Sequence, residues 1–207
     1  KILLKNQKNE KKNMKIFRSC QNNWKTQGFG ENVEYYKSLN IGLNFGHNGW
    51  DWAIFPCKPD IWSKEAVCQP IYWDCDKEGI VYKLGTDKNI GFGVWVNTKN
   101  EDGFYKHRFW HLSKIECVVG QKLGTGDLIG LGGNTGLSTG SHLHRDLTPL
   151  NEDGTQKLAG NGYDGCIDLT PYFENIWVVD KMRFLEEKLS LLTKLLNMLK
   201  LLLGIKV

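Results

Sequence analysis

Several patterns that would identify common protein classes are missing from this sequence. Its six cysteines include no Cys-x-x-Cys pair, which argues against a structural zinc site made of four cysteines. The glycine-rich stretch GLGGNTG has no Gly-Lys-Ser/Thr after it and opens no strand–helix–strand unit, so no nucleotide-binding loop is expected. Prolines are scarce, five against 23 glycines. A chain of 207 residues can bury a substantial core, and its many glycine turns favour β structure.

The net charge of +4 is distributed unevenly along the chain. Residues 1–20 carry seven basic residues and one acidic residue, and residues 181–207 carry six basic and two acidic residues. The part between them is therefore net acidic. This argues against nucleic acid as a partner, because a nucleic-acid-binding core concentrates Lys and Arg on its folded surface. The basic ends suit either an anionic surface or plain solvation.

The first 20 residues also lack the continuous apolar run of about 7–15 residues that a secretion signal requires. We therefore expect one of two situations. Either the sequence is incomplete at its N-terminus, or the protein is delivered to its place of action by another route.

The pattern of the chain divides it into three parts. Residues 1–24 are predicted to form a basic arm. Residues 25–180 alternate short apolar runs with Gly, Asn and Asp turns, as in GIVYKL (79–84) and GFGVWVNTK (91–99), which is typical of β-strands. We predict a mostly β fold, an antiparallel sheet or sandwich, followed by an amphipathic helix over residues 181–207.

The C-terminal segment carries two apolar stripes at helical spacing. One stripe alternates steps of four and three residues, a heptad pattern. The second runs through Leu191, Leu195, Met198, Leu202 and Ile205, and the two together make an apolar face too wide for a two-stranded coil alone. Three interpretations remain open for residues 183–207: self-association into a small bundle, contact with a membrane surface, or packing back onto the β domain. The segment is too short and too often interrupted by Lys and Asn to span a membrane. The first stripe consists of Leu185, Leu189, Leu192, Leu196, Leu199 and Leu203.

Four of the five histidines lie in three short segments rich in glycine or aromatic residues. In SHLH, His142 and His144 are two residues apart, so in a strand both imidazoles point to one face. In HNGWD, His47 and Asp51 are four apart and would share one side of an extended segment. His111 follows two aromatic residues in RFWHLS. The joint occurrence of these segments predicts a site, although each of them alone is a weak signal.

Two imidazoles and a carboxylate are the ligand set that a catalytic zinc ion takes when its fourth position is left to water. The ion would lower the pKa of that water from 15.7 toward about 7. Additional imidazoles could then accept its proton without binding the metal. The fifth histidine, His107, is expected to be an ordinary packed residue.

The order HNGWD, then FWHLS, then GNTGLSTGSHLH resembles the lysostaphin/LytM-type zinc endopeptidases of peptidoglycan. The resemblance covers roughly residues 27–150. The family's pattern is HxxxD, an aromatic-x-His-Leu segment, and GxTGxSTGxHLH. The sequence departs from it after HLH, where Arg145 and Asp146 replace an aromatic residue and Glu.

The resemblance implies a role for each matched residue. His47, Asp51 and His144 would bind one Zn²⁺, His142 would act on the water, and His111 would hydrogen-bond the water or the oxyanion. It also implies a small antiparallel β fold, a zinc metalloendopeptidase activity on peptide stems or cross-links, and bacterial peptidoglycan as the partner. The place of action would be the cell wall, outside the cytoplasm, which favours a phage-type lysin if no signal is present.

Two further expectations concern alternatives. A non-catalytic relative that binds the wall or activates other hydrolases is disfavoured, because all five expected side chains are present. Residues 52–78 are longer than the family's usual connection and would form an enlarged loop, for packing or for substrate specificity.

The sequence leaves two possibilities for Cys57, Cys68 and Cys75: one disulfide among them, or free buried thiols.

Overall fold

A computed structural model describes residues 14–203. Within them the chain forms a mostly β domain followed by one long helix, which confirms the predicted fold class. Residues 170–172 make a single 3₁₀ turn at Pro171, where proline is tolerated at the start of a helical turn. In chain order the elements are β1 (Ile16–Arg18), β2 (Asn23–Gln27), α1 (Val33–Ser38), β3 (Trp50–Ile54), β4 (Val67–Tyr72), β5 (Gly79–Asp87), β6 (Gly91–Asn100), β7 (Gly103–Ile115), β8 (Lys122–Leu123), β9 (Leu128–Gly133), β10 (His142–Leu150), β11 (Phe173–Trp177) and α2 (Val178–Leu202).

The large sheet is antiparallel and curls so that β10 has three neighbours. Its order is β2–β3–β10–β9–β7–β6–β5–β8, with β4 on β9 and an additional pairing between β10 and β7. In this register His144 on β10 lies opposite Asp51 on β3 and opposite Trp110 on β7. The sheet therefore brings three distant parts of the chain together around His144.

Alternation along the strands separates a core face from a polar face. The face of β10 that carries Leu143 and Leu147 packs into the core, and both side chains are buried. Burial of these apolar surfaces is the main favourable contribution to folding, at roughly 25 cal/mol per Å². The fully buried core side chains include Ile54, Ile71, Trp73, Val81, Val94, Val96, Phe109, Leu112, Leu123 and Ile129.

Residues 14–24 belong to the folded domain, and their assignment to a basic arm was wrong. Met14, Ile16 and Cys20 are buried in the core. β1 pairs in parallel with β11, and β2 pairs with β3. The apolar side chains between the basic ones are buried in the core. The prediction was wrong because it relied on the net charge of the segment and not on these apolar positions. The remainder of the predicted arm, residues 1–13, lies outside the described residues.

The predicted C-terminal helix is present and begins earlier than expected, at Val178, which is buried. Beyond its first two turns the large apolar side chains are solvent-exposed. The suggestion that this segment packs back onto the β domain is therefore wrong for residues 184–203. Among the described residues, none of the helices combines the length and apolar character needed to cross a bilayer.

A buried ion pair fastens β10 to the segment after β4. Arg145 donates from Nε and Nη2 to both carboxylate oxygens of Asp74 at 3.0 Å, and both side chains are almost fully buried. Ser19 Oγ also donates to Asp74 at 2.7 Å. His107 completes this network beside Arg145 and Thr98, so it is a packed residue, as expected.

We predict that Asp74→Ala lowers the free energy of unfolding by about 3–5 kcal/mol, because it leaves the Arg145 guanidinium buried without its counter-charge. Urea unfolding of the two proteins measures the difference. Glu78→Ala is the control, since its pair with Lys122 is largely exposed and contributes at most about 1 kcal/mol. Equal losses in the two variants would contradict the assigned importance of the buried pair.

Candidate metal centre

Three of the predicted site residues converge on one point. The ring atom Nε2 of His47 lies 3.0 Å from Nδ1 of His144 and 3.2 Å from Oδ1 of Asp51. The third side of this triangle, from His144 Nδ1 to Asp51 Oδ1, is 3.0 Å. All three side chains are buried. Within residues 14–203 they form a group that could hold a metal ion.

The triangle has the size that a small divalent ion requires. Ligand atoms about 2.0–2.1 Å from a tetrahedral ion are separated from one another by about 3.3 Å. The observed sides of 3.0–3.2 Å match one face of such a tetrahedron. Two imidazole nitrogens and a carboxylate oxygen facing one another at this distance suit zinc better than the oxygen-only ligand sets of calcium or magnesium.

The elements that carry these residues differ from the expectation in one respect. Asp51 and His144 are cross-strand neighbours on β3 and β10, as two strands allow. His47, however, precedes β3 in a turn rather than sharing an extended segment with Asp51. The approach of this turn to β10 depends on Gly49, since a Cβ there would come within 2.7 Å of the Arg145 carbonyl oxygen.

Hydrogen bonds on the far side of each imidazole turn its other ring nitrogen toward the triangle. His47 donates from Nδ1 to the carbonyl oxygen of Gly28 at 3.2 Å, which leaves Nε2 facing the other two ligands. His144 donates from Nε2 to Asp146 Oδ2 at 3.0 Å, which leaves Nδ1 facing them. Partners of this kind fix the tautomer and the orientation of metal-binding histidines.

Asp146 contacts the candidate site and was assigned no role from the sequence. Its carboxylate is fully buried and accepts hydrogen bonds from Arg108 Nε at 2.7 Å as well as from His144. Arg108 also lies over the ring of Trp110, which stacks on His144 at 4.7 Å between ring centroids. The signal was available, since residues 142, 144 and 146 alternate along one strand and therefore share a face.

We predict that Asp146→Asn weakens zinc binding by about 10–100-fold, because an amide neither orients nor polarises His144 as a carboxylate does. Competition with a chelator at constant pH measures the affinity. Asp164→Asn is the control, since Asp164 also pairs with Arg108 but does not contact His144. Unchanged zinc affinity in Asp146→Asn would contradict the positioning role.

His111 and His142 lie beside the triangle and are not part of it. Their ring centroids are 4.5 Å apart, and His142 Nε2 is 3.7 Å from Asp51 Oδ1. His111 donates from Nδ1 to the Thr135 carbonyl at 2.8 Å, and His142 donates from Nδ1 to the Gly140 carbonyl at 2.8 Å. Each ring is thereby anchored through one nitrogen and keeps Nε2 as its free acceptor.

The backbone at His111 is held in a conformation that side chains rarely adopt. Its φ is +62°, within a strand whose pairing with β6 and β9 shifts register close by. A non-glycine residue in this region costs on the order of 1 kcal/mol or more and persists where the surroundings enforce it. The anchoring to Ile90 and Thr135 provides that enforcement.

The charges of the site are set by burial and by mutual contacts. Burial raises the pKa of Asp51, but the three neighbouring imidazoles lower it by more, so this pKa lies well below its usual value. Burial lowers the pKa of His144, but the hydrogen bonds to Asp146 and Asp51 outweigh it and raise this pKa to about 9. Burial, followed by the charges of neighbouring imidazoles, lowers the pKa of His111 to about 3. The pKa of His142 is also lowered, chiefly by burial.

We predict that zinc binding at pH 7 releases about one proton. With a pKa of about 9, the metal-free His144 ring carries a proton on Nδ1 that the ion must displace. Apparent affinity should therefore rise by about tenfold per pH unit up to pH 9 and level off above it. Calorimetry in buffers of different ionisation enthalpy counts the protons, and a count of zero would contradict this protonation state.

The enlarged loop before β5 braces the segment that carries His142. Cys57 and Cys68 form a disulfide, while Cys75 is a free buried thiol. The Ile61 carbonyl accepts from the backbone N–H of Ser141 at 2.6 Å. Other bonds in this contact run from Asn134 Nδ2 to the Trp62 carbonyl at 2.9 Å and from Lys64 Nζ to the Gly136 carbonyl at 3.0 Å. The loop therefore packs, which was one of its two expected roles.

A cavity of about 310 Å³ opens above the five residues. All five side chains line it, together with apolar and aromatic side chains from residues 35–43, including Tyr36 and Leu43. Tyr36 stacks on His47 at 5.3 Å between centroids. The open side of the triangle thus faces a space large enough for a small ligand.

Fold and site together define a class: an antiparallel β domain with a His–Asp–His centre suited to a divalent metal and with two further imidazoles beside it. Residues 75–155 match the model of Peptidase family M23. The resemblance to lysostaphin/LytM-type peptidases is thereby confirmed for this part of the chain.

Individual relatives agree with this assignment. The peptidoglycan DD-endopeptidase ShyA of Vibrio cholerae serotype O1 is 37% identical over 101 residues, 49% of this chain and 20% of ShyA. The glycyl-glycine endopeptidase ALE-1 of Staphylococcus capitis is 39% identical over 56 residues, 27% of this chain and 16% of ALE-1. The chain therefore spans a fifth or less of the length of these two relatives.

Solved structures share the fold. Lysostaphin from Staphylococcus simulans superposes with a TM-score of 0.51 at 21% identity, over 75% of this chain and 52% of lysostaphin. LytU superposes with a TM-score of 0.50 at 23% identity, over 74% of this chain and 86% of LytU.

Proposed function

We propose that the protein is a zinc-dependent endopeptidase that cleaves peptide bonds in bacterial peptidoglycan. The observation that carries the proposal is the triangle of His47, Asp51 and His144, with two more imidazoles anchored beside its open side. The M23 match supports the reaction class. The substrate class is supported by ShyA and ALE-1, whose names describe a peptidoglycan endopeptidase and a glycyl-glycine endopeptidase.

His47, Asp51 and His144 would hold one zinc ion, and Asp146 would orient His144. When bound, the ion would polarise the scissile carbonyl and make a water acidic enough to attack at neutral pH. Burial and the surrounding hydrogen bonds keep the three ligands in place before metal binds, so little reorganisation accompanies binding.

His142 is the residue that we assign to proton transfer. With its Nδ1–H held by the Gly140 carbonyl, its free Nε2 can only accept, and it lies 3.7 Å from Asp51 Oδ1. The Asp51 carboxylate is the main influence that raises the pKa of His142, whereas for His111 it is the smallest of the influences on the pKa. His142 would take the proton of the attacking water and return it to the leaving amine.

His111 is assigned to orienting the water. Its neutral ring is also an acceptor at Nε2, since Nδ1–H is bound to the Thr135 carbonyl. In this tautomer it cannot donate to an oxyanion. We therefore propose the water, and not the oxyanion, as its hydrogen-bonding partner.

Purified peptidoglycan incubated with the zinc-loaded protein tests the proposal. Mass spectrometry of the released muropeptides should show new peptide termini, which also identify the bond that is cut. His144→Ala is the matched control and should release none. Equal release by the two proteins, or binding to peptidoglycan without any cleavage, would overturn the proposal, and the second result would favour the non-catalytic relative.

Action at the cell wall follows from this substrate and is part of the proposal. Delivery by a phage stays a prediction. The basic residues 1–13 and the exposed helix α2 are not needed for the chemistry proposed here.

A further inference from the structure

Helix α2 presents a continuous apolar seam that no other described part of the chain covers. The seam consists of leucines at alternating steps of four and three residues, which places them at the a and d positions of a heptad. Their exposed fractions range from 45% to 71%, far above those of core leucines. The seam residues are Leu185, Leu189, Leu192, Leu196, Leu199 and Leu203.

At the start of α2, the positions that continue the seam are covered by the chain's own β domain. Val178, one heptad before Leu185, is fully buried, and Met182 lies against Gly126. Lys181 Nζ lies 5.6 Å from the ring centroid of Phe17. The helix is thus fastened to its domain over its first turns, and the open seam starts at Leu185.

We propose that the open seam binds the same seam of a second copy of this chain, in antiparallel orientation. One register aligns every layer: Leu185 opposite Leu203, Leu189 opposite Leu199, and Leu192 opposite Leu196 of the second copy. Each layer then occurs twice about the twofold axis, so the contact is self-complementary. Six leucines from each helix leave water. Leu195 of the second stripe lies at the edge of the contact, opposite Leu195 of the other copy, whereas Leu191 and Met198 stay outside it.

The charges beside the seam fit this register. Glu186 and Lys200 both occupy the e position, and in an antiparallel pair e positions lie opposite e positions. With the leucine layers aligned, Glu186 of each copy lies opposite Lys200 of the other, and Thr193 lies opposite itself. The dimer would therefore contain two ion pairs beside the seam, each between Glu186 of one copy and Lys200 of the other.

The position of the β domain favours antiparallel over parallel pairing. The 25 residues of α2 extend over about 37 Å at 1.5 Å per residue, so antiparallel helices place the two domains at opposite ends. Parallel helices would place both domains at the same end. At that end, each chain's own domain already covers the seam around Val178 and Met182, so the two domains would obstruct a parallel pair.

A membrane surface is the competing occupant, and the charges fit it less well. Anionic lipid attracts helices whose polar face is rich in Lys and Arg. The described part of α2 carries five basic side chains, but also three acidic ones, Asp180, Glu186 and Glu187, within its first half. These carboxylates would oppose an anionic surface, whereas an antiparallel partner brings lysines to Glu186.

Sedimentation equilibrium of the full chain tests the proposal. We expect twice the 23.7 kDa mass of one chain. The double variant Leu189→Asp/Leu196→Asp should sediment as a monomer, with association weakened by at least about 100-fold, since it places four carboxylates in the buried seam. The control Ser190→Asp/Asn197→Asp adds the same charges outside the seam and should remain a dimer.

A charge exchange tests the orientation. Glu186→Lys and Lys200→Glu should each weaken the dimer, and the two together should restore it, because each exchanged residue again meets its opposite. In a parallel pair the double variant would not recover dimerisation. A double variant that stays weakened would therefore overturn the antiparallel register.

Three other outcomes would overturn the proposal itself. These are a monomeric wild-type chain, equal dissociation in the seam variant and its control, and a monomer that floats with vesicles of anionic phospholipid. All the substituted residues lie on the exposed helix, so unchanged thermal unfolding of the β domain confirms that the variants are folded.

Discussion

Replacing His144 with alanine should remove the bound metal and lower peptidoglycan hydrolysis by at least about 10⁴-fold. Two effects combine in this variant. The triangle loses a ligand whose Nδ1 lies 3.0 Å from each of the other two ligand atoms. Without the ion, the pKa of the attacking water returns from about 7 toward 15.7. Zinc content by mass spectrometry and muropeptide release measure the two consequences on the same preparation.

The control for this experiment is His107→Gln. His107 belongs to the buried network of Arg145 and Thr98 on the opposite face of the sheet. Its loss should reduce stability and leave one zinc ion per chain. If His144→Ala still bound zinc stoichiometrically and tightly, the assigned ligand set would be incorrect.

Replacing His142 with alanine should lower kcat by about 10²–10⁴-fold while the zinc content stays at one per chain. The imidazole lies outside the triangle, with Nε2 3.7 Å from Asp51, so its removal takes away a proton acceptor and no ligand. The substrate KM should change little, since the water is the group that His142 contacts in our account. Initial rates over a range of muropeptide concentrations separate kcat from KM.

His111→Ala provides the comparison for His142→Ala. It should also retain zinc and lose kcat, and the double variant should lose less than the product of the two single losses, because both rings act on one water. Loss of zinc in either single variant would contradict the division between ligands and proton acceptors. Fully multiplicative effects would contradict the shared water.

The strands of this domain were predictable because each carries its own local signal. GIVYKL and GFGVWVNTK lie within β5 and β6, whose alternation and flanking turns are local properties of the sequence. The boundary at residue 25 was misplaced for the opposite reason. Ile16 is buried where β1 pairs with β11, more than 150 residues away, and no local pattern reveals that partner.

The site shows the same division between local and distant information. His142 and His144 share a face because residues two apart in a strand point the same way, so their spacing alone predicted this. The 3.0 Å contact between His47 and His144 required the family resemblance, because His47 approaches from a turn. Asp146 escaped attention because a carboxylate beside an arginine resembles an ordinary ion pair until its second contact, to His144, is known.

A crystal structure of the zinc-loaded protein, with anomalous scattering recorded at the zinc absorption edge, tests the central claim most directly. We predict a single peak bound by His47 Nε2, Asp51 Oδ1 and His144 Nδ1 at about 2.0–2.2 Å. In that structure His111 and His142 should face the ion without binding it. A peak elsewhere in the molecule, or one that His111 or His142 binds directly, would contradict the account.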